Sequence, residues 1–285
     1  MARLTKIAKP DTCVITNIGT CHLENLGDRD GVLKAKTEIF QSMKPNGHIV
    51  LNGDDDKLIT VREYNGVKPV FFGLNSERDV YADQVESKGL KGVACRIHLG
   101  EDAFDVLVPT PGIHMVYNAL AAAAVGRIYG LTIEEIRRGI ESLETIRGRF
   151  KMIETDKFLV VDDCYNANPV SMKASLDVLS KAGGRKIAVL GDMGELGEDE
   201  KQLHYEVGTY AGTLPIDLLF CVGTLSGKLA EGAKKQNPAL TVKHYATREE
   251  MTEELLATVK EGDTVLVKAS HFMEFPKVVA ALTEA

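Results

Sequence analysis

From about residue 150 onward the chain repeats one unit, a short apolar run followed by a stretch with helical periodicity. The apolar runs fall at 158–162, 186–190, 218–222 and 264–267, with a weaker one at 241–245. The helical stretches fall near 171–182, 200–211, 225–235, 248–259 and 275–282. A strand that is apolar on both faces has to be covered on both, so it belongs inside a parallel sheet between helices. Regular strand–helix alternation then dictates an open, Rossmann-like α/β domain with right-handed crossovers. Ligands of such domains bind at the carboxyl ends of the strands. Two loops therefore lie at the expected working edge, Asp162-Asp163-Cys164-Tyr165-Asn166 and Gly191-Asp192-Met193-Gly194.

The earlier part is less regular. Thr12-Cys13-Val14-Ile15-Thr16-Asn17 reads as a buried strand very near residue 1, and strands of this kind normally have sheet neighbours on both sides. Val32, Leu33, Ala35, Ile39 and Phe40 can share a helical face, which predicts a helix over 30–43 ended by Pro45-Asn46-Gly47. His48-Ile49-Val50-Leu51-Asn52 predicts a second strand. Short β-rich runs at 67–72, 93–99 and 103–108 alternate with Gly, Asn and Asp, as hairpins or a small meander do. Two helices are expected over 115–129 and 132–143, the second with Thr132 as cap and Glu135 three residues on. Residues 144–150 read as a hinge, which places a domain boundary between 147 and 148. The length of 285 residues suits two domains, at roughly 100–200 residues each.

Charge narrows the function classes. With 34 Lys+Arg against 41 Asp+Glu the net charge is −7, so no overall positive field exists to attract nucleic acid. No apolar run reaches the ~18 residues of a membrane span, and the first residues lack the apolar core of a signal peptide. A cytoplasmic protein is expected. The five cysteines include no CxxC pair, so neither a disulfide framework nor a zinc site is indicated; they read as reduced, buried small apolar residues.

Three constellations carry chemistry. Asn17-Ile18-Gly19-Thr20-Cys21-His22-Leu23-Glu24 is a glycine-bearing loop after a buried strand, with Lys34 and Lys36 on the helix that follows. Taken alone, His22 reads as a structural hydrogen-bonder and Lys36 as a solvated helix lysine. Asp162 to Pro169 gathers two carboxylates and two carboxamides at a strand end, which suits a metal, phosphate or polar substrate and equally a turn with an Asn cap. Gly191-Asp192-Met193-Gly194-Glu195-Leu196-Gly197 is a strand-to-helix loop that can present Asp192 to a ligand or be a plain turn; it is not GxGxxG, so a dinucleotide oxidoreductase is disfavoured. Gly223-Thr224-Leu225-Ser226-Gly227-Lys228-Leu229 imitates a P-loop, but it is one residue short and Leu229 stands where Ser or Thr must bind Mg²⁺.

These segments together resemble the Mur ligase family, and within it the ligases that add D-alanyl-D-alanine. The resemblance runs in order through Ile15 to Glu24, Ala35 to Phe40, Leu51-Asn52-Gly53-Asp54-Asp55, and Pro111-Gly112-Ile113-His114 with Asn118 to Ala122. It continues through Gly148-Arg149 and the two strand-end loops. It implies an ATP- and Mg²⁺-dependent enzyme of cytoplasmic peptidoglycan synthesis. A carboxylate becomes an acyl phosphate, an amine attacks it, and phosphate leaves. The implied substrates are UDP-N-acetylmuramoyl-tripeptide and D-alanyl-D-alanine, with no nucleic acid, and the implied state is a monomer. His22 matches a magnesium ligand and Lys36 the lysine that becomes carbamylated, which turns a cation into an anion able to approach Mg²⁺. Asn118 matches a nucleotide-contacting asparagine, and Arg149, Asn166 and Asp192 fall in matching segments of the C-terminal domain. Asn166 is the first choice for the main polar contact and Asp192 the second.

The departures are as specific as the matches. The resemblance implies residues 1–147 as the later part of a P-loop-type central ATPase domain and 148–285 as a complete C-terminal domain. No GxxxxGK[ST] occurs, and without its backbone N–H groups and lysine the phosphates lose most of their binding. The chain is therefore expected to be an N-terminally truncated member, inactive alone, with its first strand exposing an edge. Met115 stands in place of a second nucleotide-facing asparagine, and His271 in place of the arginine of a Lys-Gly-Ser-Arg segment. A non-catalytic dipeptide- or nucleotide-binding module, or one half of a split ligase, is the alternative.

Overall fold

Two units, Met1–Glu144 and Thr145–Ala285, make up the chain in a computed structural model that describes residues 1–20 and 23–284. The first unit runs α1 (Ala2–Ala8), β1 (Thr12–Ile15), α2 (Leu23–Leu26), α3 (Arg29–Thr37), β2 (His48–Asn52), β3 (Val70–Gly73), β4 (Val80–Ser87), β5 (Val93–Leu99), β6 (Asp102–Val108), α4 (Ile113–Ile128) and α5 (Ile133–Glu141). Its six strands form one sheet in sequence order. β1 to β4 are parallel neighbours, whereas β4, β5 and β6 form an antiparallel meander.

β1 exposes the edge that was expected of it. Among the described strands it pairs only with β2, with Thr12 opposite His48 and Ile15 opposite Leu51. It is thus an edge strand with one covered face: Cys13 and Ile15 are buried, while Val14 between them is 36% exposed. The expected helix over 30–43 is shorter. α3 starts where Asp28 accepts the Gly31 N–H, and it gives way after Thr37 to a 3₁₀ turn, Glu38–Ser42. The Thr37 hydroxyl bonds back to the carbonyls of Leu33 and Lys34 there, a local bond that competes with helix continuation. β4 escaped prediction because Asp83, Gln84 and Glu86 obscure its alternation, and its ladder slips between Asp83 and Glu86. The alanine-rich α4 covers the sheet with Val116, Leu120, Ala123 and Ala124. α5 opens on the anticipated Thr132–Glu135 capping box.

The second unit runs β7 (Lys151–Glu154), β8 (Leu159–Asp162), α6 (Pro169–Ser180), β9 (Lys186–Gly191), α7 (Glu200–Gly212), β10 (Leu218–Val222), α8 (Ser226–Gln236), β11 (Thr241–Tyr245), α9 (Arg248–Thr258), β12 (Thr264–Lys268) and α10 (Pro276–Thr283). The strand order is β11-β10-β9-β12-β8-β7, parallel except for β7. The five strands and five helices expected from periodicity are all present. β7 was not anticipated, being a four-residue edge strand with no buried residue. From β8 the chain passes the place of β12 to reach β9, steps outward to β11, and then returns to β12. Right-handed crossovers in opposite senses put α6, α7 and α8 on one face and α9 and α10 on the other. The order reverses around β9, β12 and β8, and this reversal opens the crevice that ligands use in such sheets.

Among the described residues no helix is long and apolar enough to cross a membrane. Cys13, Cys95, Cys164 and Cys221 are free and buried; Cys21 lies outside the described residues.

α7 and α8 meet backbone to backbone. A Cβ added at Gly208 would stand 1.9 Å from the Leu229 carbonyl oxygen, and one at Gly232 would stand 2.3 Å from the Tyr205 carbonyl oxygen. Gly208→Ala is expected to lower unfolding stability by about 1–3 kcal/mol through overpacking. Gly139→Ala on α5, where a Cβ meets nothing within 4 Å, is expected to raise it by about 0.5–1 kcal/mol. Urea unfolding midpoints of the two variants should move in opposite directions.

Candidate functional site

In the second unit three strand-end loops meet: 163–168 after β8, 192–199 after β9 and 269–275 after β12. Their polar groups are mostly bonded to one another. Asp162 is fully buried; its carboxylate accepts the Gly148 N–H at 2.9 Å and the Cys164 thiol at 2.8 Å. Burial and that carboxylate push the Cys164 thiol far above its ordinary range, so it is a neutral donor and not a nucleophile. Asp163 accepts from Lys268 Nζ and from the Ser175 hydroxyl, each at 2.6 Å. Asn168 caps α6 by accepting the Ser171 N–H at 2.9 Å, with Pro169 at the first helical position.

Of the two carboxylates and two carboxamides between Asp162 and Asn168, three are thus structural, and Asn166 remains. It is exposed, and its Oδ1 accepts the Ala167 N–H at 2.9 Å. Beside it Tyr165 is 51% exposed, with the Arg149 guanidinium 3.7 Å from its ring centroid and the His271 ring 6.1 Å away. Gly148, at φ +77°, makes the turn that sends Arg149 over Tyr165, and the Tyr165 N–H donates to its carbonyl at 3.0 Å. A guanidinium against an aromatic face keeps its charge available to an anionic ligand.

Asp192 is placed differently from the ligand-facing role expected of it. Only 8% exposed, its carboxylate accepts the Ser226 N–H at 2.7 Å, the Ser226 hydroxyl at 2.6 Å and the Leu225 N–H at 3.3 Å. It caps the N-terminus of α8 from a neighbouring loop. That cap also explains the P-loop look-alike at Gly223 to Leu229. The helix terminus that would hold a phosphate already holds a carboxylate of the protein itself.

Two residues outside the expected set tie the loops together. Lys268 Nζ, besides its bond to Asp163, donates to the carbonyls of Asn166 at 3.2 Å and Asp163 at 3.4 Å. The Ser270 hydroxyl accepts the Gly194 N–H at 2.8 Å and donates to the Ala167 carbonyl at 3.4 Å, while the Ser270 N–H donates to the Asp192 carbonyl. The signal was available in Thr264 to Lys268, where a lysine ends a strand of wholly buried residues, since a buried lysine needs a partner.

In the first unit Lys36 is half-buried in the last turn of α3, and its Nζ donates to the Asn17 carbonyl at 2.8 Å. It thereby reaches the loop at the carboxyl end of β1. Asp55 pins that loop, taking the Ile18 N–H at 2.7 Å along with the N–H groups of Lys57 and Leu58. Asn118 is exposed, with Met115 Sδ, a weak acceptor, 3.5 Å from its Nδ2. Its neighbour Tyr117 donates to Asp54, just past β2, so the start of α4 lies by the carboxyl end of the strand next to β1. Burial and the Asp54 carboxylate push the Tyr117 hydroxyl up to about 12. Lys36 and Asn118 occupy one sheet edge without touching. His22 lies outside the described residues. Among the described residues no group of three or more His, Cys, Asp and Glu side chains converges as metal ligands, and the Lys36 amine is bonded to a carbonyl oxygen. The described side chains do not assemble a Mg²⁺ ligand set.

Lys268→Met would leave the Asp163 carboxylate nearly buried without its cation, and an expected loss of about 3–5 kcal/mol follows. Adding Asp163→Asn should recover part of it. A double-mutant cycle by urea unfolding measures the coupling.

The family model for the Mur ligase middle domain matches residues 1–126, and that for the Mur ligase glutamate ligase domain matches residues 148–271. The UDP-N-acetylmuramoyl-tripeptide–D-alanyl-D-alanine ligase of Bacillus subtilis is 34% identical over 99% of this chain and 61% of its own length. That of Escherichia coli is 31% identical over 100% and 62%. Among solved structures, MurF from Acinetobacter baumannii superposes with a TM-score of 0.89 at 32% identity, over 100% of this chain and 62% of its own. MurF from Thermotoga maritima in complex with ADP gives 0.83 at 30%, over 99% and 64%. The chain thus spans a little over three fifths of the length of the relatives it matches, and in both of its units it belongs to the Mur ligase family.

Proposed function

We propose that the chain serves the ATP-dependent addition of D-alanyl-D-alanine to UDP-N-acetylmuramoyl-tripeptide, a cytoplasmic step of peptidoglycan precursor synthesis. The observation that carries this reading is the carboxyl edge of the second unit. Its loops are bonded internally through Lys268, Ser270 and Asp192, and they leave the Asn166 amide and the Arg149 guanidinium exposed. Relatives matched over nearly the whole chain bear the name of that reaction, and one solved relative holds ADP.

In this reading Asn166 orients the incoming dipeptide near the carbonyl it attacks, where fixed position contributes most to rate. Asn118 and Arg149 are taken as cofactor-binding residues, Asn118 through its amide and Arg149 through its positive charge. His22, which lies outside the described residues, and a carbamylated Lys36 would hold Mg²⁺, which would neutralise charge on the phosphates. Asp192 acts through the loop and helix it joins and not by touching ligand. Residues 1–147 are the later part of a central domain and 148–285 a C-terminal domain, working as a monomer without nucleic acid. The 285 residues hold no P-loop, and we infer that they turn ATP over only together with a polypeptide that carries one.

Calorimetry of the chain with D-alanyl-D-alanine tests the reading. Saturable binding is expected, with L-alanyl-L-alanine silent and Asn166→Ala weakening affinity about tenfold, or about 1.4 kcal/mol. No binding, or binding that Asn166→Ala leaves untouched, overturns the assignment. A phosphate-release assay of the chain alone with ATP, Mg²⁺ and both substrates should stay at the blank; robust release would refute the dependence on a separate P-loop.

A further inference from the structure

A histidine with no part in the proposed chemistry lies under the loop that follows β9. His204, on α7, is fully buried. Its Nε2 is 2.9 Å from the Met193 backbone N and its Nδ1 is 2.7 Å from the Glu200 carbonyl oxygen. A backbone N–H can only donate, so Nε2 must offer a lone pair. A carbonyl oxygen can only accept, so Nδ1 must carry the proton. The two neighbours together allow one neutral tautomer and no other.

We propose that His204 is the positioning residue of the 191–197 loop: as the Nδ1-protonated neutral ring it anchors the Met193 N–H, and taking up a proton on Nε2 releases that loop. A second proton would point an N–H at an N–H inside a buried site, where the bond becomes a repulsion. The loop's other anchors flank this one. Asp192 is held to α8 before it, and the Gly194 N–H is held by Ser270 after it. Met193 itself is fully buried, and Glu195 then takes a left-handed conformation at φ +61°. His204 therefore governs the middle of the segment.

The charges that bear on the ring are the carboxylates of Asp192, from the loop after β9, and Glu200, one turn earlier on α7. Both favour the protonated ring, but burial outweighs them and lowers its pKa below the ordinary 6.5. On the neighbouring helices α6 and α8, Lys173 and Asp177 engage Tyr210 and Lys235 engages Tyr205 of α7. The sign follows: the unfolded chain binds this proton first, so stability is lost as pH falls below 6.5 towards the folded value.

That the loop serves substrate rests on the proposed function; that His204 anchors it does not. Hydrogen exchange of the full 285-residue chain, corrected for intrinsic rates, reads the anchor without turnover. The comparison is between wild type, His204→Gln and His204→Leu, from about pH 7.5 down to about 5. Glutamine supplies an acceptor of similar reach that does not titrate. Exchange in peptides covering 191–197 is expected to quicken at least about tenfold on acidification in the wild type. It should stay slow throughout in the Gln variant and be fast at every pH in the Leu variant, while β10 is unaffected. Identical pH profiles for wild type and Gln, or full protection in the Leu variant at neutral pH, overturn the proposal. Should the Leu variant not fold, ¹⁵N NMR of the wild-type imidazole decides. A protonated Nδ1 and bare Nε2 at neutral pH support the anchor, and any other protonation state refutes it.

Discussion

At the end of β12 the ammonium of Lys268 is removed from water, with 2% of the residue exposed, and meets the Asp163 carboxylate at 2.6 Å. A pair of this kind gains little net stability over apolar residues of the same volume, because both ions lose hydration. What it supplies is geometry. One nitrogen satisfied by a carboxylate and two backbone carbonyls of the 163–168 loop fixes the path of that loop to the strand beside it. Through Ser270, two residues on, the same strand end fixes the loop after β9. The working edge of the second unit is thus built from the end of its central strand outward.

The same logic resolves the role of Asp192. A carboxylate at a strand's carboxyl end invites assignment to a ligand or metal, yet a helix terminus with unsatisfied N–H groups stands next to it. Asp192 and α8 satisfy each other, and the Gly-rich turn at 223–227 is shaped to admit the carboxylate. A Cβ at Gly223 would lie 2.5 Å from its oxygen. The turn's likeness to a phosphate loop is real in chemical terms, since both present backbone N–H groups to an anion. Here the anion is covalently part of the chain.

The layout of the second unit was readable because five covered strands leave a periodic trace that polar edges cannot imitate. β7 and β4 were missed for the opposite reason: their outward residues are polar and their runs carry no apolar excess, so only pairing with a neighbour defines them. The two loops of the candidate site were legible as positions, since their residue types cluster at strand ends. The division of labour within them was not. Nothing in Asp162-Asp163-Cys164-Tyr165-Asn166-Ala167-Asn168 distinguishes the aspartate that holds a thiol from the one that holds Lys268, 105 residues later in the chain. Lys268 and Ser270 were legible only as part of a matching segment and not in their roles, because their partners are backbone groups and one distant carboxylate.

Internal satisfaction also explains why so few side chains remain for ligands. Buried polar groups that lack partners cost more than bonded ones return, so a loop rich in Asp and Asn tends to use most of them on itself. Asp162 takes Gly148 and Cys164, Asp163 takes Lys268 and Ser175, and Asn168 takes the end of α6. The one amide left over, Asn166, is held by its own carbonyl to Lys268 and by its neighbour Ala167 to Ser270. It is exposed and yet positioned by two bonds that do not involve its side-chain N–H groups. A group that is available to a ligand while its backbone is fixed loses little entropy on binding. The bonds that occupy the other polar side chains are therefore the physical reason that this one stays available.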